Sequence, residues 1–354
     1  MAVYTAIDDP TAYFKVQLYT GDGSANHAIT LGGTTAMQPD LVWIKNRDAT
    51  DDNCAFDAVR GATKMWVPND SATETTDTDT LDSFASDGFQ VDADVKVNTD
   101  AEKYVSWNWK AGTTSGIATD GNETLTLTGY SFNQTAGFSI IHYTGNATSA
   151  AKFSHGLAAA PHWMMIKNLD SGEHPFMWHY KLKGGYSPED YYMTLNEVNN
   201  AADDASALND TLPDTVNVTL GDGGKANGSG HKEIAYIWTG KQGYSKFGTY
   251  EGNGNADGTF VYTGFRPAYI FTVSSDSTSV RMIFDKKREG YNPDNDLLSS
   301  TDGRVETTTD YIDILSNGFK MRISSDPNVA ETYVYAAFAE APFVNSEGVP
   351  CNAR

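Results

Sequence analysis

The chain has 354 residues, 40% of them apolar and 20% charged, and its 25 Lys and Arg stand against 46 Asp and Glu for a net charge of −21. That much apolar material excludes a wholly disordered chain and suits about two to three domains. The acidic excess excludes an ordinary nucleic-acid binder, because the phosphate backbone would repel it. No apolar run reaches the roughly 18–20 residues needed to cross a bilayer, so no membrane insertion is expected. The opening Met1 to Pro10 has neither a basic start nor an apolar core and does not read as a secretory signal. Cys54 and Cys351 cannot form a disulfide framework, so reduced thiols are expected.

Along the chain, short β-branched and aromatic runs alternate with Gly, Asn and Asp turns. Phe14–Tyr19, Asp40–Lys45, Thr124–Thr128 and Ala268–Val273 show the period-two alternation of half-buried strands. Thr20–Gly23, Asn253-Gly254 and Asp302-Gly303 are the intervening turns. Asn196–Leu208 is the one segment with a helical composition, and it reads equally well as a loop. The fold class expected is all-β, built as antiparallel sandwiches of jelly-roll or concanavalin type.

One pattern recurs three times. It opens at Val16–Gly23, at Ile141–Asn146 and at Phe247–Gly254. A proline and an aromatic strand follow: Pro39–Asn46, Pro161–Asn168 and Pro267–Val273. Next come Phe-rich strands at Ala55–Asp57, Pro175–Trp178 and Met282–Asp285, and Gly-Phe strands at Asp87–Val91 and Asn317–Met321, with Val216–Leu220 in the second copy. Each copy closes with Asn98, Asn227 or Asn328 and a strand ending on aromatics: Tyr104–Gly112, Ile234–Gly240 and Tyr333–Ala339. The expected layout is a docking segment at 1–14, a first sandwich at 15–112, a linker and hairpin at 113–136, a second sandwich at 137–240, a third at 246–343 and a tail at 344–354. The short join at 240–245 predicts packed neighbours, not swinging beads.

Several stretches resemble virion structural proteins of marine tailed phages. They are Thr5–Phe14 leading into Tyr19–Gly23, Trp43–Arg47, Phe56–Gly61, Trp107–Gly112, and the ending Ala337–Phe343 through Gly348–Arg354. Each copy also resembles a SPRY-like, concanavalin-type sandwich in pattern. The second copy departs from the pattern by lacking the Phe-Asp-x-x-Arg-Gly stretch, and the third by carrying Phe338-Ala-Glu-Ala-Pro342 in place of Trp-Lys-Ala-Gly. The resemblance implies a place on a virion as a tail fibre, spike or capsid appendage that adheres to the host. Its partners would be other virion proteins and a cell-surface receptor, possibly a glycan. Homo-oligomerisation, with a trimer as the expected state, goes with a fibre. A capsid-cementing decoration protein is the alternative, and a polysaccharide depolymerase the third.

The chemistry-bearing patterns lead away from catalysis. Gly221-Asp-Gly-Gly-Lys225 lacks phosphate-loop spacing, and His174 and His179 join no helical zinc motif. No Gly-x-Ser-x-Gly elbow occurs. Asp77, Asp79 and Asp82 lack the turn glycine and late Glu of a calcium loop. A non-enzymatic protein without cofactor or metal is therefore expected. From Asp70 to Glu102 ten acidic residues accompany one Lys, which reads as a solvated face or a contact with a basic neighbour. Trp43, Trp109, Trp163 and Trp238 fall in the repeated strands and are assigned to the core. Trp66 and Trp178 lie outside them and are candidate sugar-stacking or protein-contact residues. Lys286, Lys287 and Arg288 form the one basic cluster, placed at a hairpin tip or against an acidic neighbour.

Overall fold

A computed structural model describes residues 4–293 and 296–351. Strands hold 40% of the residues and helices 6%, with antiparallel pairing throughout, so the chain is all-β. The first stretch forms β1 (Phe14–Thr20), β2 (His27–Thr30), β3 (Leu41–Asn46), β4 (Cys54–Asp57), β5 (Lys64–Met65), β6 (Thr75–Thr76), β7 (Leu81–Ala85), β8 (Gly88–Val91), the single turn α1 (Val95–Asn98) and β9 (Lys103–Trp109). The second forms β10 (Thr126–Asn133), β11 (Phe138–Thr144), β12 (Ala151–Ser154), β13 (Trp163–Asn168), β14 (Phe176–His179), β15 (Tyr191–Thr194), β16 (Ala202–Asp203), α2 (Ala205–Leu208), β17 (Asn217–Leu220), α3 (Gly224–Asn227) and β18 (Lys232–Trp238). The third forms β19 (Ser245–Glu251), β20 (Phe260–Tyr262), β21 (Phe265–Ser274), β22 (Met282–Asp285), β23 (Leu298–Ser299), β24 (Ile312–Leu315), β25 (Gly318–Met321) and β26 (Thr332–Pro342).

One strand order occurs three times. The main sheets run β1-β9-β3-β4, then β11-β18-β13-β14 within a larger sheet edged by β10, then β19-β26-β21-β22. A smaller sheet accompanies each: β2-β8-β7, β12-β17 and β20-β25-β24. The recurring closing Asn has the same task each time. Asn98 Oδ1 accepts the Asp22 amide, Asn227 Oδ1 the Asn146 amide and Asn328 Oδ1 the Asn253 amide. Each side chain is fully buried, and its amide group donates back into the same opening loop. The glycine of that loop has to be a glycine. A Cβ at Gly21, Gly145 or Gly252 would lie 2.0, 2.3 or 1.9 Å from a backbone oxygen of Thr99, Gly228 or Val329.

The alternation seen in the strand sequences marks half-burial at Thr124–Thr128, where Leu125 is buried between exposed Thr124 and Thr126, but not in the central strands. Every residue of β3 and of β13 is buried. In β3, Val42 and Ile44 face the first stretch's own small sheet, while Leu41 and Trp43 join a core common to all three stretches. In the third stretch Ile270 faces inward to its own core, while Tyr269 and Phe271 join the common one. Sheets covered on both faces lose the polar half of the alternation. The register-equivalent aromatics that end the closing strands meet there. Trp109 lies 5.9 Å from Trp238 and 5.6 Å from Phe338, and Trp238 lies 6.5 Å from Phe338 (ring centroids).

The same backbone bond stitches each stretch to the next and the last to the first. Glu74 N donates to Leu169 O, Ala201 N to Ser275 O, and Glu306 N to Arg47 O. The contacts therefore close head to tail, the arrangement that generates a ring.

Two expectations are revised. The segment 126–133 is one strand that pairs with β11 around a bulge, not a hairpin of its own. Of Asn196–Leu208, Ala205–Leu208 is helical, as one turn capped by Asp204. In the docking segment expected at 1–14, Thr5 and Ile7 are buried and Ala6 N donates to Gln242 O of the join, so its described part packs on its own chain. Residues 1–3 of that segment and 352–354 of the tail lie outside the described residues.

Candidate functional site

The structure buries three of the five residues singled out as surface contacts. Trp66 is stacked on Tyr236, with Nε1 donating to its hydroxyl at 3.0 Å. Trp178 is equally buried, and its Nε1 donates to Pro188 O at 2.8 Å. Trp178 stands on β14 at the position that Phe56 and Phe284 hold in the other two stretches, and Trp66 bridges to Ala55 of β4, so neither faces solvent. Arg288 is no hairpin-tip cation either. Its guanidinium is fully buried against Asp285 and Glu306.

Arg288 belongs to a motif that the first and third stretches share, Phe56-Asp-x-x-Arg60 and Phe284-Asp-x-x-Arg288. Asp57 Oδ1 accepts the amides of Val59 and Arg60, and Asp285 Oδ1 those of Lys287 and Arg288. The other carboxylate oxygen takes the arginine Nε, at 2.5 Å for Arg60 and 2.7 Å for Arg288. It also takes a donor from the neighbouring stretch. Tyr236 OH reaches Asp57 at 2.7 Å, and Trp107 Nε1 reaches Asp285 at 3.0 Å. A glutamate, Glu74 or Glu306, holds the far side of each guanidinium. Buried charges satisfied in this way are structural joints.

At the equivalent place the second stretch has His179 and Leu182. His179 Nδ1 accepts the Lys181 amide as the aspartates accept theirs, and Nε2 donates to Tyr335 O at 3.1 Å. Here the third stretch presents a carbonyl where the others present a donor, so the joint needs a group that accepts on one side and donates on the other. Neutral imidazole does both. Burial pushes its pKa down to about 3, and with no anion to balance, Leu182 can replace the arginine.

Two of the predicted residues remain outside. Lys287 is exposed, and Lys286 pairs with Glu340. With Lys15 they line a groove of about 300 Å³ between the first and third stretches. Lys15 is already held by Gly32 O and Thr35 O. A groove of about 370 Å³ between the first stretch and β10 is lined by Asp40 and Tyr130. Burial raises the Asp40 pKa to about 6.

A third groove, of about 300 Å³, was not legible from the repeats because its walls come from segments far apart in the chain, among them the N-terminal segment and the join, which have no counterpart in the other copies. Tyr4 comes from the N-terminal segment, Gln242, Ser245 and Lys246 from the join, and Tyr262 and Thr263 from the end of β20. Tyr4 stays 58% exposed and Tyr262 53% exposed. Lys246 Nζ lies 5.2 Å from the Tyr262 ring centroid and donates to Tyr262 O at 2.7 Å. Strand alternation puts Phe260, 45% exposed, on the same outward face as Tyr262, with Val261 buried between them. An exposed aromatic platform beside the Gln242 amide suits packing against an apolar face with a polar rim.

Asp77 and Asp79, the calcium-like pair, accept backbone amides instead. Among the described residues no group of three or more His, Cys, Asp and Glu is placed to hold a metal ion.

The fold defines an all-β protein closed around a common aromatic core, with open grooves at its joins. The chain belongs to the family described as a domain of unknown function, DUF7483, whose model matches residues 9–342. The match runs through all three stretches. No curated protein and no solved structure matches the chain.

Proposed function

We propose that the three stretches are tandem antiparallel β-sandwiches and that the chain is a non-enzymatic virion structural protein. In this reading it is a tail fibre, spike or capsid appendage of a tailed phage that adheres to the host surface. The observation that carries the adhesive part is the exposed aromatic groove at the join, set on sheets locked together through the common core. Rigid scaffolds with binding residues on their loops and joins are a common design for adhesion. The resemblance of the opening and closing segments to phage virion proteins supplies the location.

The depolymerase alternative needs two carboxylates facing each other across a groove at about 5–10 Å. Among the described residues, Asp40 is the one carboxylate lining the first groove and Glu340 the one lining the second, and none lines the third. A smaller cavity of about 110 Å³ is lined by two, but Glu173 there pairs with Lys225 and Asp204 accepts the Ser206 amide as the cap of α2. That favours binding over hydrolysis. The test is competition: soluble protein added to cells before phage should lower adsorption in a dose-dependent way. Unchanged adsorption, with particle imaging that places the chain flat between capsomers, would instead make it a cementing protein.

A further inference from the structure

The groove walled by Tyr4, Tyr262, Gln242, Ser245, Thr263 and Lys246 has the chemistry of a carbohydrate subsite. Pyranose rings offer apolar C–H faces that pack on aromatic faces, and hydroxyls at their rims that need amide and hydroxyl partners. Tyr4 and Tyr262 supply exposed aromatic faces, and Phe260 extends the platform along the outward side of β20. The Gln242 side chain is exposed and supplies the amide, while the Thr263 and Ser245 hydroxyls are engaged within the chain, with Phe265 O and with the Lys241 amide. The volume fits a short stretch of sugar chain and not a protein face.

Charge selects the class of sugar. In a chain of net charge −21, this groove carries no carboxylate among the described residues. Its one cation, Lys246, is committed to Tyr262 O and to the Tyr262 ring. An acidic sugar would find no spare positive partner and would meet the long-range repulsion of the whole molecule. Both rings are also built in. Tyr4 packs beside Gly348 of the C-terminal turn, where a Cβ would lie 3.4 Å from its ring. Thr5, next to Tyr4, is pinned to Gln242 O at 3.0 Å. Pre-set walls lower the ordering cost of binding.

We propose that this groove binds neutral oligosaccharides, with Tyr262 as the principal stacking residue and Tyr4 as the opposing wall. This rests on the adhesive reading and names the chemistry of the receptor it would meet. The experiment is titration calorimetry of the full chain with malto-, cello- and N-acetylchito-oligosaccharides, and with oligogalacturonate as the charged counterpart. Binding of at least one neutral series is expected. Tyr262→Ala should weaken it about tenfold, the scale of one lost stacking contact. Tyr291→Ala, at an exposed tyrosine elsewhere, should leave it unchanged, and the thermal midpoints of both variants should match the parent.

Absence of binding across the neutral panel overturns the proposal. So does equal affinity of Tyr262→Ala, or binding of oligogalacturonate alone. The adsorption assay keeps the two readings apart. A protein that blocks adsorption but binds no neutral sugar loses this site and keeps its adhesive role. One that binds sugar through Tyr262 but does not block adsorption keeps the site and loses that role.

Discussion

The seam between the second and third stretches and the seam between the third and first solve the same geometric problem with opposite chemistry. At the latter, Asp285 and Arg288 form a buried ion pair closed by Trp107 Nε1 and by Glu306, which also holds Arg47 of the first stretch at 2.6 Å. At the former, His179 and Leu182 do the work with no formal charge, because the group opposite is the Tyr335 carbonyl. The lesson is that the partner atom decides the residue. A donor opposite calls for a carboxylate, and a buried carboxylate calls for an arginine. A carbonyl opposite calls for neutral imidazole. The third–first seam also joins stretches that are not consecutive in the chain, so side chains must do there what a short linker does at the other two.

The contrast is broken most severely at its charged end. Asp285→Ala leaves Arg288 buried without its main anion, and a loss of about 3–5 kcal/mol is expected in denaturant unfolding. The same experiment on Leu182→Arg should cost a comparable amount, since that seam holds no carboxylate where the motif puts Asp57 and Asp285.

The uncharged His179 joint should instead be exposed by acid. His179, with its pKa pushed down to about 3 by burial, binds its proton only on unfolding. Its contribution is thus complete above the ordinary histidine pKa near 6.5 and declines as pH falls toward 3, by about 1.4 kcal/mol per pH unit. Roughly 2–3 kcal/mol should disappear between pH 6.5 and 4.5. His179→Gln should flatten that part of the stability–pH curve, and an unchanged slope would contradict the neutral-imidazole joint. His155, lowered to about 4, adds a second and separate component over a similar range.

Smaller effects sharpen the picture at the first–second seam. Tyr236→Phe removes the donor to Asp57 and strands the Trp66 N–H, for an expected cost of about 2 kcal/mol. Asp40 runs the other way. Its raised pKa means that its contribution is present below about pH 4 and is lost as pH rises through about 6, so Asp40→Asn should stabilise the chain by about 1 kcal/mol at pH 7 and by less at pH 4.

Much of this was legible in the sequence, and the failures share a cause. The recurring Asn98, Asn227 and Asn328 and the glycines at the opening turns marked places where one buried contact is made three times. The four tryptophans in the repeated strands are core, as their positions implied. Trp66 and Arg288 were misplaced because their burial depends on neighbouring segments brought together only by the fold, whereas Trp178 stands at the repeat position of the buried Phe56 and Phe284 and could have been placed from the alignment of the copies. Composition counted Lys286, Lys287 and Arg288 as one basic cluster, whereas the spacing Asp285-x-x-Arg288 matches Asp57-x-x-Arg60 and separates the arginine from the two lysines. The aromatic groove had no signal at all, since residues 4, 242–246 and 262–264 are far apart in the chain and only the fold brings the N-terminal segment, the join, the start of β19 and the end of β20 together.

The central claim is that three serial stretches form one body around Trp109, Trp238 and Phe338. Differential scanning calorimetry of the intact chain tests it most directly. A shared core predicts one transition, with calorimetric and van't Hoff enthalpies in agreement, that moves down as a whole in Asp285→Ala. Two or three separable transitions, with only one of them shifted by that substitution, would show independent beads on a string and contradict the account.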